Sequence, residues 1–280
     1  MTSFARPELI ATPDWLSEQL GRPDLRVLDV RWRPDGSAAE AFAVGHIPGA
    51  VHVDWRADLI ETSTDGAGIQ LAGPDQVARV LGAAGIGDGT SLVIYDDTLG
   101  LYAARAWWSL RVYGYESARI LDGGLPAWTE DRRPISNAVD TRPATTFTPR
   151  ANPRLRMTTS DVRGVLGSSD VLLVDARAAA EYRGFEGNSV RLGHIPGALN
   201  VPVGSMHVPG THRLRDAAAL REIVLKANIA RGRRIVTYDG SGVAAARLAF
   251  ILELLGYDDV AVYDGGWADW GARLDLPVDR

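Results

Sequence analysis

Short apolar runs alternate along this chain with longer stretches of helical spacing. Residues 26–30, 91–95, 171–175 and 234–238 are β-rich, whereas 74–84, 103–113, 217–226 and 243–255 carry the apolar periodicity of helices. Runs such as Val171-Leu172-Leu173-Val174 show no polar alternation, as expected of strands covered on both faces. The pattern predicts an α/β protein whose mainly parallel sheets are flanked by helices. The most apolar stretch, 243–255, is interrupted by Arg247 and Glu253 and is too short to span a bilayer, so it is assigned to a helix.

Four blocks then occur twice in the same order. Val27-Leu28-Asp29-Val30-Arg31 matches Leu173-Val174-Asp175-Ala176-Arg177, and Gly45-His46-Ile47-Pro48-Gly49-Ala50 returns as Gly193-His194-Ile195-Pro196-Gly197-Ala198. Val93-Ile94-Tyr95-Asp96 matches Val236-Thr237-Tyr238-Asp239, and Leu121-Asp122-Gly123-Gly124 with Trp128 matches Tyr263-Asp264-Gly265-Gly266 with Trp270. The chain is therefore two copies of one unit of about 130 residues, close to a typical domain. The predicted domains are 1–138 and 156–280, joined by a linker at 139–155 where Pro143, Thr145, Thr146, Thr148, Pro149 and Pro153 favour extended backbone. Two α/β domains facing each other offer a cleft for a small molecule.

Composition narrows the chemistry. A net charge of -5 and a pI near 5.6 give no footprint for nucleic acid and no basic face for anionic membranes. Residues 1–16 carry Arg6, Glu8 and Asp14 and lack the apolar run of a secretory signal, so a cytoplasmic location is expected. Nothing in the sequence sets an oligomeric state. The chain contains no cysteine, which removes disulfides, thiolate metal sites, thiol nucleophiles and persulfides at once. His207 and His212 lack carboxylates at ligand spacing, and no phosphate-binding or dinucleotide fingerprint is present, so no metal and no cofactor are expected.

One segment has the form of a binding loop. Residues 234–238 lead into Asp239-Gly240-Ser241-Gly242-Val243-Ala244 and then a helix. Glycines here let successive amides turn inward, and the helix start adds positive potential, which together suit an anion. The same glycines also suit a plain strand-to-helix turn, and spacing alone leaves both readings open.

The sequence resembles the tandem rhodaneses, the thiosulfate and mercaptopyruvate sulfurtransferase family. The likeness is carried by both Gly-His-Ile-Pro-Gly-Ala blocks, by Ala104-Arg105-Ala106-Trp107-Trp108, by Leu121-Asp122-Gly123-Gly124-Leu125 and by Asp264-Gly265-Gly266-Trp267-Ala268-Asp269-Trp270. This resemblance implies a catalytically silent first domain and a second domain whose loop opens with a nucleophilic cysteine. Asp239 stands in that place, and the rest of the loop fits the mercaptopyruvate branch. By the same resemblance Ser241, His46 and Asp35 would relay protons, and Gly240, Gly242, Val243 and Ala244 would line the binding loop. Arg183 and Arg191 would hold a substrate carboxylate, with Glu181 falling where the family has an arginine, and Tyr102 would touch substrate.

A carboxylate forms no stable, transferable persulfide, so sulfur transfer by double displacement is not expected. Amides aimed at Asp239 would lower its pKa and close the site, whereas a dry cleft would raise it and make an acid or base. Three functions stay open. Asp239 could act as general acid/base or carboxylate nucleophile on a small polar or anionic, carboxylated molecule. Ser241, His46 and Asp35 could form a hydrolytic triad with the loop amides as oxyanion hole. Alternatively the protein is a non-catalytic, anion-binding or regulatory homologue, a reading favoured by Asp96 in the equivalent position of the first copy. His194 is read as a residue of the fold; Trp107, Trp108, Trp128, Trp267 and Trp270 are read as packing residues, and Trp32 and Trp55 as packing residues within reach of the cleft.

Overall fold

The computed structural model describes residues 3–62 and 69–280; Met1 and Thr2, with which the predicted first domain begins, lie outside them. Twelve strands are present among the described residues: β1 Ile10–Ala11, β2 Leu25–Asp29, β3 Ala50–His52, β4 Ile60–Thr62, β5 Ile69–Leu71, β6 Ser91–Tyr95, β7 Ala118–Leu121, β8 Arg156–Met157, β9 Val171–Asp175, β10 Leu199–Asn200, β11 Arg234–Tyr238 and β12 Val260–Tyr263. They form two five-stranded parallel sheets, ordered β1-β7-β6-β2-β3 and β10-β9-β11-β12-β8, and one antiparallel hairpin of β4 and β5. Matching the copies strand by strand makes the two orders identical. The chain is two α/β domains of the same topology, as the pattern predicts.

Each repeated block has the same job in both copies. Arg31 Nε bonds Asp29 at 2.8 Å and its Nη2 donates to Gly45 O; Arg177 Nη2 bonds Asp175 at 2.6 Å and also donates to Gly193 O. Tyr95 and Tyr238 hydroxyls accept from Ile47 N and Ile195 N. The tyrosine at the end of the central strand thus fixes the Gly-His-Ile turn beside it. The linker region runs without regular structure until the short 3-10 turn Pro153–Leu155 but is tied down, with Arg150 N and Asn152 N donating to Tyr113 O and Val112 O and Phe147 buried.

The domains meet through helices Leu101–Val112 and Val243–Leu254, which follow β6 and β11. Both are buried on nearly every face, because one side covers a sheet and the other side covers the partner helix. That explains the unusually apolar 243–255 stretch. Trp107 meets Phe250 edge to face at 5.1 Å, and one apolar core runs through both halves. No helix among the described residues is long and apolar enough to cross a membrane.

Two arginines at equivalent positions cross this interface in opposite directions. Arg105 reaches the second domain, where Nη2 bonds Asp264 at 2.6 Å and Nη1 lies 3.4 Å from Gly242 O. Asp264 also accepts from Leu71 N and pairs with Arg156, so one buried carboxylate gathers three segments. Arg247 reaches back and packs on Gly100, whose αL backbone has no room for a Cβ: one would stand 2.8 Å from the guanidinium carbon. Burial lowers the Arg247 pKa to about 10 against the fields of Asp96 and Asp122. His207, 3.0 Å from Leu99 O and beside Arg247, is pushed down to about 4 by burial and that cation, and is neutral.

Removing Asp264 strands the buried Arg105 guanidinium, at a cost of about 3–5 kcal/mol, whereas removing Arg105 leaves Asp264 bonded to Leu71 N and Arg156. Asp264→Ala is expected to lower the urea-unfolding free energy by that order and Arg105→Met by less. The double variant should lose less than the sum of the two. Strictly additive losses would show that the pair does not couple the domains.

Candidate active site

The loop 239–244 leaves the carboxyl end of β11, the central strand of its sheet. The chain turns outward from β9 to β10 and the other way from β11 to β12, so the crevice between the ends of β9 and β11 is the topological switch point where open α/β sheets receive ligands. Asp239, Ser241 and Ala178 all lie there, because Tyr238 pairs with Asp175 in the ladder.

Asp239 does not face the crevice. Its Oδ1 accepts from Gly242 N at 2.5 Å and its Oδ2 from Ala244 N at 3.2 Å, and the residue is 6% exposed. Its carbonyl accepts from Trp267 N, and Gly240 O from Ala268 N, so the following segment is clipped to the loop as well. Gly242 sits in the left-handed region at φ 81, and a Cβ there would stand 2.5 Å from Arg105 Nη1. The loop is therefore shaped from inside by the carboxylate and from outside by the interface.

Both expectations for the Asp239 carboxyl hold in part. The amides do point at it, but burial outweighs them, and its pKa is raised from 3.8. Asp96 is treated alike: it accepts from Thr98 N, Gly100 N and Ala103 N at 2.8–2.9 Å and its pKa is also raised by burial. In both copies the carboxylate at the loop's first position caps the N–H of the helix-starting glycine, although the first-copy loop is one residue longer.

The other residues implied by resemblance are mostly elsewhere. The His46 ring is stacked on Phe42 at 3.9 Å, with its nitrogens 2.8 and 3.1 Å from the carbonyl oxygens of Phe42 and Ala138. His194 repeats the arrangement on Tyr182. Asp35 is exposed and accepts from Ser37 N and Oγ. The expected Asp35–His46–Ser241 relay is not assembled, because each acid–base group is committed to its own turn. The Ser241 hydroxyl is half-buried and has no hydrogen-bond partner among the described residues.

Arg191 is likewise diverted from substrate. Its guanidinium donates to Gly271 O, Leu276 O, Trp270 O and Arg273 O, closing the end of helix Gly266–Ala272. Arg183 is exposed and makes no ion pair among the described residues; Glu181 caps Ala178 N. Tyr102 belongs to the first-copy loop, packed against Trp55 at 5.2 Å and Trp32 at 5.9 Å. No cluster of metal-ligating side chains occurs among the described residues.

Sequence reasoning missed how the copies differ. Trp32, Trp55 and Tyr102 correspond to Ala178, Val203 and Ala244, and the Arg33–Asp97 ion pair to Ala179 and Gly240. The first-copy crevice is filled by its own rings. The second is lined by small side chains, with Ala178 exposed and Val203, Val243 and Ala244 partly buried. Aligning the two halves against each other would have revealed it.

Comparison with known proteins agrees with this architecture. The model of the rhodanese-like domain matches twice, at residues 12–131 and 158–273. The 3-mercaptopyruvate sulfurtransferase of Escherichia coli K12 is 33% identical over 273 residues, covering 95% of this chain and 96% of that protein. The putative thiosulfate sulfurtransferase SseB of Mycobacterium tuberculosis is 34% identical over 287 residues, covering 99% and 98%. The crystal structure of SseA from Escherichia coli aligns with a TM-score of 0.84 at 32% identity, covering 92% of this chain and 98% of that one.

Because the folded state holds the Asp239 proton more tightly than the unfolded chain, its contribution is fully present below pH 3.8 and is lost as pH rises through the raised folded value. Asp239→Asn lacks this loss. The stability gap between wild type and Asp239→Asn should therefore narrow from acid towards neutral pH in urea titrations, and a gap that widens would show the carboxyl is not held up by burial. Separately, Arg191→Ala should lower the melting temperature by several degrees, at about 2–4 °C per kcal/mol. Arg183→Ala should leave it unchanged, and equal effects would contradict the assignment of Arg191 to the helix end.

Proposed function

The chain belongs to the rhodanese-like family, and within it we propose a protein that binds a small molecule at the crevice over loop 239–244 and does not carry sulfur. The observation that supports this most is the Asp239 carboxylate folded onto Gly242 N and Ala244 N, as Asp96 is folded in the first copy. By resemblance the relatives mount a reactive cysteine at this position. Here an oxygen acid occupies it, and no thiol exists anywhere on the chain.

Catalysis by Asp239 is the less favoured reading. The upward push on its pKa is what acid–base work asks for, but both oxygens are turned into the loop rather than towards a ligand. A hydrolase built on Ser241 lacks its base, since the His46 nitrogens face carbonyl oxygens of the first domain. The expectation of an anionic ligand is also disfavoured. The amides that would hold an anion already hold Asp239, and Arg105, Arg177 and Arg191 are engaged elsewhere, which leaves only the exposed Arg183 of these four without an ion pair among the described residues.

Wild-type protein is expected to produce no thiocyanate from thiosulfate and cyanide, and no pyruvate from mercaptopyruvate, above a no-enzyme control. Asp239→Cys releases the two amides to a thiolate at a helix start, which lowers a thiol pKa. That variant should gain one sulfur atom from thiosulfate by intact-mass measurement while the wild type gains none. Sulfur transfer by the wild type would overturn the proposal.

A further inference from the structure

Building on the reading of this crevice as a binding site, we infer that its ligand is an uncharged planar aromatic molecule, seated where the first copy seats its own aromatic side chains. The two crevices share their backbone hydrogen bonds at the strand ends, although the first-copy loop is one residue longer. Val53 N donates to Asp29 O and Val201 N to Asp175 O; Val30 N and Ala176 N donate to Tyr95 O and Tyr238 O. Asp96 and Asp239 cap their loops alike. On this common frame the first copy places Trp32, Trp55 and Tyr102 with ring centroids 5.2–6.3 Å apart, in edge-to-face and stacked arrangements. It thereby shows what shape and chemistry the frame accommodates above a self-capped loop.

In the second copy the rings are absent and the frame remains. Ala178, Val203 and Ala244 put only small aliphatic side chains beside the buried strand ends, and Ala178 is exposed. Charge is missing on the same surface, because Arg33 and Asp97 correspond to Ala179 and Gly240. Arg177 is held by Asp175 and Gly193 O, and Arg191 by four carbonyls, so neither is free for a carboxylate or phosphate; the exposed Arg183 has no ion pair among the described residues, and benzoate tests it. What remains is an apolar lining with one unengaged hydroxyl, Ser241, which suits a ring carrying a single polar edge such as an N–H.

Indole is the probe. Titrated into wild-type protein it should bind saturably, with a dissociation constant of about 0.1–1 mM for a fragment of this size. It should also shift the amide resonances of residues 240–244 in NMR spectra. No saturable binding, or shifts confined to other parts of the molecule, would overturn the inference without recourse to any variant. Benzoate and cyclohexanol should bind at least tenfold more weakly than indole. Equal or tighter benzoate binding would show that the crevice takes anions, and equal cyclohexanol binding that it does not read aromaticity; either outcome refutes the proposal. The variant Ala178→Trp/Ala244→Tyr copies the first-copy side chains and should weaken indole at least tenfold while keeping a cooperative melt. Unchanged affinity in this folded variant would also refute it. Sulfur transfer by the wild type would strike the previous reading and leave these titrations as they stand, and failure of indole to bind would leave the lack of sulfur transfer untouched.

Discussion

The reciprocal exchange of Arg105 and Arg247 across the interface is the constraint on which both loops depend. Each arginine leaves the first turns of a helix that has no solvent face, and each reaches the glycine that begins the other domain's helix. A buried guanidinium stays only where hydrogen bonds or carboxylates answer it. Asp264 answers Arg105 directly; Asp96 and Asp122 answer Arg247 through their fields. The cations come close to the opposing backbone at the left-handed glycines Gly100 and Gly242, so loop shape and domain docking are one problem.

Asp96 and Asp239 solve that problem from the inside. A loop that must leave a strand, present a left-handed glycine to an arginine and enter a helix exposes several inward amides, and a carboxylate at its first position satisfies them. Burial works against the charge and the amides work for it, leaving a carboxyl whose protonation is linked to the folded state. Nothing in that arrangement requires a reacting partner. The pairing of Asp239 with its own loop is thus the geometry on which the proposed non-catalytic role rests.

How much of this was written in the sequence differs from residue to residue. Continuous apolar runs located β6, β9 and β11 to the residue, since parallel strands buried on both faces leave no other reading. The repeat gave two domains of equal topology. His46 was assigned chemistry by resemblance, yet its block recurs unchanged around His194, and both rings stack on an aromatic residue and bond a carbonyl. Identical blocks in both copies point to the fold, and differences between copies to function. Arg105 and Arg247 occupied matching places in the sequence, but their exchange depends on how the domains dock, which local pattern does not encode. Arg191 looked available because its four carbonyl partners lie some eighty positions away.

The second copy departs from the first at a definite energetic cost. Indole and phenol rings bury large apolar areas, and replacing them by methyl-sized side chains forfeits that burial. If Ala178, Val203 and Ala244 surrounded a closed void, the loss would be compounded by a cavity. Instead Ala178 is exposed and its neighbours are partly buried against the core, so the site touches solvent at Ala178. A sequence that packs one strand-end crevice with three rings and leaves its twin open has given up stability at one site on a shared frame. Such a departure is expected where a protein must meet something other than itself. On the binding role proposed above, the crevice of the second copy, rather than the carboxylate beneath it, is the functional asymmetry of the molecule.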